Sequence, residues 1–289
     1  MNKNIFSGLE KLGFNDINDI DLYRINDEST NDVSLKNKPE IDEKDCLYDK
    51  KLTCPVCGTE FTTKAIKTSS YRMKSKDTDF FIRYNIINPY FYDVWLCNNC
   101  GYAAMKSDFN RIRNYQIDLV KKNVSHKWKG REYKVPYDIN TAIERYKIAL
   151  LNYYYIESKP SKKAMNCLKL AWMCRLKEDS TSEINYLTQA VKGFDEAYLN
   201  EDFPLYGMDR YATMYLIGEL NRRIGNTDDA LIWFSKVVTT PGIHKRLKDL
   251  ARDQKDLIKE TQKNNTPELT NPEDTSEKKK GFFSSLLGK

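Results

Sequence analysis

The chain has 289 residues, of which 40% are apolar and 30% charged, and it carries a net charge of +6. That composition supports one large or two modest soluble domains. No apolar run of about 18 residues occurs, which excludes a membrane-spanning helix. The start, Met1-Asn2-Lys3-Asn4-Ile5-Phe6-Ser7-Gly8, lacks the continuous apolar region of a secretory leader.

Residues 1–45 form the first segment. Ile5, Phe6, Leu9 and Leu12 would share one face of a short amphipathic helix, which Gly8 and Gly13 weaken. Residues 15–45 are polar and acidic and read as a flexible linker. Charge is unevenly spread: residues 1–49 carry 6 Lys/Arg against 12 Asp/Glu, and residues 50–135 carry 17 against 7. Such a basic excess attracts nucleic acid or an anionic surface, pairs with the acidic leader, or is simply solvated.

Residues 46–106 are organised by two cysteine pairs, Cys54-Pro55-Val56-Cys57-Gly58 and Cys97-Asn98-Asn99-Cys100-Gly101. One Cys-x-x-Cys is ambiguous between a redox motif and half a metal site. Two supply four thiolates, the complement of a closed structural Zn²⁺ site, with Cys54, Cys57, Cys97 and Cys100 as ligands. Gly after each pair accepts the positive φ of a turn that aims two sulfurs at one ion. The expectation is a zinc ribbon whose metal contributes folding free energy; the alternative is a reduced thiol pair without metal. Thirty-nine residues separate the pairs, against about 15–20 in the compact pattern, so an insertion, a β-hairpin with a loop, is expected between them. Strands are expected at 61–66 and 92–96, with Asn88-Pro89 as a turn. Tyr71, Phe80, Phe81 and Tyr84 are expected to pack a small core around the metal rather than stack bases. Cys46 reads as a spare thiol. Seven cysteines, four of them claimed by metal, fit a reducing cytoplasm better than a disulfide scaffold.

Residues 107–136 read as a helix over 107–124, capped by Ser107, followed by a basic connector in which His126 is exposed rather than a fifth ligand. Over 137–263 every periodic signal is helical, with six helices expected at 139–157, 161–177, 181–200, 208–224, 227–239 and 243–263. Lys159-Pro160 breaks the first pair. Ser180 and Glu183 suggest a capping box, and Thr227 a further cap. The second helix is apolar almost all round and so is expected to be central. Its Cys167 and Cys174 lie seven residues apart, about 10.5 Å along the axis, too far for a disulfide. Over 214–241 the spacing of Met214, Ile217, Gly218, Asn221, Ala230, Phe234 and Pro241 approximates a tetratricopeptide (TPR) repeat. Residues 264–289 are a polar tail, taken as disordered, ending in an apolar peptide. There Phe282, Phe283, Leu286 and Leu287 would line one helical face, suited to peripheral docking on an anionic membrane or in a protein groove.

The knuckles Cys54-Pro55-Val56-Cys57-Gly58 and Cys97-Asn98-Asn99-Cys100-Gly101-Tyr102-Ala103, joined through Asn88-Pro89-x-Phe91-Tyr92, resemble an uncharacterised bacterial family known only as a domain of unknown function. The resemblance spans about residues 48–260. It implies a zinc-ribbon-like part followed by TPR-like helices and brings no activity. The expected fold is therefore mainly α with a small β zinc module. The expected function is a cytoplasmic, zinc-binding, non-enzymatic adaptor that takes a protein partner in a helical groove, at the inner face of the membrane if the end peptides bind lipid. The alternative is nucleic-acid binding by the basic aromatic zinc module. Catalysis is not expected: there are two histidines, His126 and His244, no Gly-rich phosphate loop and no nucleophile motif.

Overall fold

The structure, a computed structural model, describes residues 42–265. The amphipathic stretch at 1–14, nearly all of the acidic segment and the apolar peptide with Phe282, Phe283, Leu286 and Leu287 lie outside the described residues.

Three antiparallel two-stranded hairpins come first. β1 (Leu47–Thr53) pairs with β2 (Glu60–Ile66), Leu47 opposite Ile66 and Thr53 opposite Glu60. β3 (Met73–Lys76) pairs with β4 (Ile82–Tyr84), and β5 (Val94–Leu96) with β6 (Ala103–Met105). The first and third hairpins each carry a cysteine knuckle at their turn; the second is the insertion expected between the knuckles. The strand expected at 92–96 starts only at Val94, because Pro89–Tyr92 forms a 3-10 turn whose Asn88 side chain accepts the Tyr90 amide at 3.0 Å.

Seven α-helices follow among the described residues. α1 (Asn114–Val120) is shorter than the helix expected over 107–124. Ser107 does not cap it: Phe109–Arg111 is a 3-10 turn, and the helix starts where the Gln116 side chain accepts the Arg113 amide at 3.1 Å. A single π-turn, Lys121–Ser125, continues it. Then come α2 (Ile139–Tyr155), α3 (Pro160–Leu176), α4 (Ser180–Asn200), α5 (Arg210–Arg223), α6 (Thr227–Thr239) and α7 (Lys245–Asn265). Three of these start on an aspartate cap: Asp138 accepts Thr141 N, Asp179 accepts Ser182 N and Asp209 accepts Ala212 N. Asp179 thus replaces Ser180 as the cap of α4, and Glu183 is turned to Arg175 instead (2.7 Å). Thr227 does not cap α6; its hydroxyl donates to Gly225 O at 3.2 Å. Pro160 sits at the first position of α3, where its missing N–H is not needed.

α3 is the central helix, with eleven of its seventeen residues buried, Cys167 and Cys174 among them. Consecutive helices from α2 to α7 pack on one another, and α2 also packs on β5 and β6. One continuous core therefore runs from Cys54, Val56, Cys97 and Cys100 through Val94–Met105 to Tyr146 and Tyr153 of α2, Leu168 and Trp172 of α3 and Phe194 of α4. A second cluster joins α5, α6 and α7 through Tyr215, Phe234, Val237 and Ala251. Close approach of helices has a local cause: a Cβ on Gly218 of α5 would lie 3.0 Å from the Phe234 ring of α6, and one on Gly193 of α4 would lie 2.8 Å from the Ala164 Cβ of α3. No helix among the described residues is long and apolar enough to cross a membrane.

Candidate metal centre

Both knuckles fold the same way. In the first, the Cys54 N–H donates to Thr59 O (3.0 Å) and the Gly58 N–H to Cys54 O (2.9 Å); in the second, the Cys97 N–H donates to Tyr102 O (2.9 Å) and the Gly101 N–H to Cys97 O (2.9 Å). Gly58 and Gly101 take φ of +73° and +75°, the conformation that favours glycine at each turn. The repeated geometry turns two sulfurs of each pair to the same side.

The four Sγ atoms of Cys54, Cys57, Cys97 and Cys100 lie within 4.8 Å of one another. Two of the cross-knuckle separations, Cys54–Cys100 and Cys57–Cys97, are 3.6 Å. A disulfide would bring sulfurs to about 2.05 Å. Four sulfurs at about 2.3 Å around a tetrahedral ion stand about 3.8 Å apart. The spacing therefore fits a metal ion and not a pair of disulfides, and all seven cysteines are free thiols. Crowding polarises the thiols unequally: hydrogen bonds from Cys100 and Cys54 hold Cys97 far below its ordinary pKa, and the same sharing with Cys54 and Cys97 drives Cys100 well above. A cation relieves that crowding by taking all four as thiolates. Cys54, Cys97 and Cys100 are buried and Cys57 is exposed. The exposed sulfur is steadied by Asn99, whose Nδ2 donates to Cys57 Sγ (3.6 Å) and to Thr59 Oγ1 (3.0 Å).

The second knuckle is wired into the rest of the chain. Asn152 of α2 donates from Nδ2 to Gly101 O (3.1 Å), and Tyr102 donates its hydroxyl to Phe109 O (2.9 Å). The connector after α1 folds back over the knuckle: Trp128 Nε1 donates to Asn98 O (2.7 Å) and the Arg131 N–H to Asn98 Oδ1 (2.6 Å). Composition marked that connector only as basic; the Trp beside the charges was the sole hint that it packs. His126 is exposed and stands outside the sulfur cluster. Cys46 is also outside it, buried with Ile66, Ile87, Tyr92 and Tyr137.

A family model described as "Uncharacterized protein conserved in bacteria (DUF2225)" matches residues 47–258. The chain belongs to this family. A relative from Borreliella burgdorferi, named only "Uncharacterized protein", is 24% identical over 169 residues, 52% of this chain and 60% of its own length. The chain thus spans about three fifths of that relative. No solved structure matches.

The family match runs from the first strand into α7 and so includes a second polar cluster that sequence reasoning missed. The tip of the β3–β4 hairpin, Asp77-Thr78-Asp79-Phe80, lies against α3 and α5. Asp79 is fully buried and accepts Trp172 Nε1 (3.0 Å) and both amino groups of Arg175 (2.6 and 3.1 Å). Arg175 also pairs with Asp77 (2.9 Å) and Glu183 (2.7 Å). Fully buried Glu219 pairs with Arg222 (2.8 Å) and Arg223 (2.7 Å) and accepts the Thr78 hydroxyl (2.5 Å). The aromatics of the insertion accompany the tip. Phe81 stacks on Trp172 of α3 at 5.1 Å and Phe80 lies 5.5 Å from Tyr215 of α5. Phe81 shares the core that includes the cysteines, as expected, but its ring and that of Phe80 also reach the helices, while Tyr71 pairs with Tyr84 (6.1 Å).

Proposed function

We propose that the chain is a zinc-stabilised, non-enzymatic adaptor of the cytoplasm, with α2–α7 forming a TPR-like array that takes a protein partner. The observation that carries the reading is the convergence of four sulfurs at one point. All-sulfur tetrahedral sites suit zinc or iron–sulfur chemistry, and one mononuclear centre with its four positions filled by protein leaves none for water or substrate. When bound, zinc would cross-link the two knuckles and contribute folding free energy. The TPR-like reading is supported by the contact of Gly218 with Phe234 and by the burial of Met214, Asn221 and Ala230, all on the repeat spacing. Free thiols throughout support a reducing compartment.

Two measurements test it. Elemental analysis of protein purified under reducing conditions is expected to give about one zinc per chain; a folded chain without metal would overturn the site. Cross-linked capture is expected to yield a protein that rebinds the purified chain after nuclease treatment. The docking role of Phe282, Phe283, Leu286 and Leu287 is tested by co-sedimentation with anionic vesicles, with and without residues 281–289; equal sedimentation of both chains removes the lipid reading.

The second reading, single-stranded nucleic acid, is favoured by one observation. A cleft of about 180 Å³ on the β1–β2 face is lined by Tyr48, Tyr71 and Trp95 together with Lys50 and Lys106, the mixture of stacking platforms and cations used by such binders. Oligonucleotide retention that falls steeply with salt and is lost in Tyr48→Ala would promote it.

A further inference from the structure

Between the tip of the β3–β4 hairpin and the start of α7 lies an open cavity of about 390 Å³. Its apolar wall is Phe80, Leu247 and Leu250, and its polar wall is Lys76, His244 and Arg246. Asp77 is the one carboxylate on the lining among the described residues, and both its oxygens are already engaged, by Arg83 (2.9 and 2.9 Å) and Arg175 (2.9 Å). Thr78 is likewise committed, donating to Glu219 and accepting from Arg223 at 2.9 Å.

The cations have no such partners. Neither Lys76 nor Arg246 forms an ion pair among the described residues. The Lys76 ammonium instead lies 4.5 Å over the Phe80 ring. Burial, and then the nearby positive charge of Arg246, push the Lys76 pKa down. Two like charges on one wall, with no ion-pair partner among the described residues, repel, and an anion placed between them removes that repulsion. Phe80 adds to the picture. Its φ is +69°, a conformation that strains a bulky residue, and such positions gather at ligand clamps. The strained turn holds the ring between Tyr215 and the cavity, under the Lys76 ammonium.

We propose that this cavity binds a small amphiphilic oxyanion, with its carboxylate or phosphate on Lys76 and Arg246 and its apolar body on Phe80, Leu247 and Leu250. The volume falls within the range of about 300–1,000 Å³ typical of small-ligand sites, as does the combination of an apolar wall with a few polar groups. No cysteine of the metal centre lines it, so the site stands or falls independently of the zinc and adaptor readings.

The test is calorimetric titration of the full-length protein with four probes: phenyl phosphate, phenylacetate, inorganic phosphate and benzyl alcohol. One saturable site per chain is expected for phenyl phosphate or phenylacetate, at least about tenfold tighter than for inorganic phosphate and benzyl alcohol. The tighter of the two aromatic anions identifies the headgroup. Lys76→Gln and Arg246→Gln are each expected to weaken binding about tenfold while leaving the urea unfolding midpoint unchanged. Absence of saturable binding by both aromatic anions overturns the proposal. So does equal binding of inorganic phosphate, or binding unaffected by both substitutions.

Discussion

Phe81→Ala tests whether the cysteine module and the helices unfold as one unit. Phe81 is fully buried. It belongs by sequence to the insertion between the knuckles, yet its ring stacks on Trp172 of α3 (5.1 Å), packs on Tyr90 (5.5 Å) and lies beneath Arg83 (5.2 Å). Truncating a buried Phe to Ala costs about 3–5 kcal/mol, because the lost ring leaves a void that its surroundings only partly fill. With a urea slope near 3 kcal/mol per molar, the midpoint should fall by about 1 M or more. Two probes follow the transition on one sample: far-ultraviolet circular dichroism for the helices, and the thiolate-to-metal charge-transfer band of the cobalt-substituted centre. Both midpoints are expected to drop together. In sequence the module at 46–106 and the helices at 137–263 read as separate segments. The shared core, with the hydrogen bonds from Asn152 to Gly101 O and from Arg145 to Val94 O, argues for joint loss. If the cobalt band disappears well before the helical signal, or only one of the two midpoints moves in the variant, the single-unit reasoning is wrong.

Three further outcomes are expected. Gly101→Ala should weaken metal retention against a competing chelator far more than Gly58→Ala: both glycines have positive φ, costing about 1–2 kcal/mol for Ala, but only at Gly101 does the new Cβ meet a neighbour, 2.7 Å from Trp128 Cγ, and Trp128→Ala should partly rescue it. Tyr153→Phe should destabilise the chain by about 1–3 kcal/mol in urea titrations, since the lost hydroxyl accepts the buried Met105 N–H (3.0 Å) and donates to Asp108 (2.9 Å); no change would mean that water replaces it. Asp195 has its pKa pushed up to about 6, by burial first and by Asp229 second, and one of its oxygens is unpartnered. A carboxyl with a raised folded-state pKa adds stability while protonated and loses that contribution as pH rises from about 4 through 6, so Asp195→Asn should raise the urea midpoint at pH 7.5 and leave it nearly unchanged at pH 4.

Helix positions were legible because their signals are local. Apolar residues at helical spacing and the break at Pro160 placed all six long helices within about two residues of their observed ends, the resolution at which helix limits are meaningful. α2 to α7 all show this. The cysteine pairs were legible for a similar reason, as each is a five-residue motif with its own turn. Caps were less so. Ser180 and Asp179 are neighbours and both are good caps; the choice fell to Asp179 because Glu183, the other half of the expected box, is drawn off to Arg175 across a helix boundary. β1 and β6 were missed, and β3 and β4 were expected only as a hairpin without stated limits, because short strands such as Met73-Lys74-Ser75-Lys76 carry no alternation and exist only through a partner. Trp128 and Asn152 were missed as supports of the second knuckle for the same cause: their roles lie across 30 and 51 residues of chain.

The least legible feature, the hairpin-tip network, also explains how an insertion between two knuckles holds a fixed place. Asp77, Asp79, Glu183 and Glu219 meet Arg83, Arg175, Arg222 and Arg223, so charges balance within the cluster. Buried ion pairs of this kind contribute little net stability, because desolvation offsets attraction, yet removing one partner from a buried pair costs about 3–5 kcal/mol. The consequence is specificity of position. Shifting the tip by one residue would move Asp79 away from Trp172 and Arg175 and leave a carboxylate with no exposure unpaired. The network therefore admits one placement of the hairpin on α3 and α5. That placement brings Lys76 and Phe80 to the start of α7, while the knuckles at the two ends of the insertion tie the same placement to the cysteine cluster. Cysteine cluster, hairpin tip and proposed oxyanion cavity are three consequences of one inserted segment, anchored by sulfur at its ends and by charge at its middle.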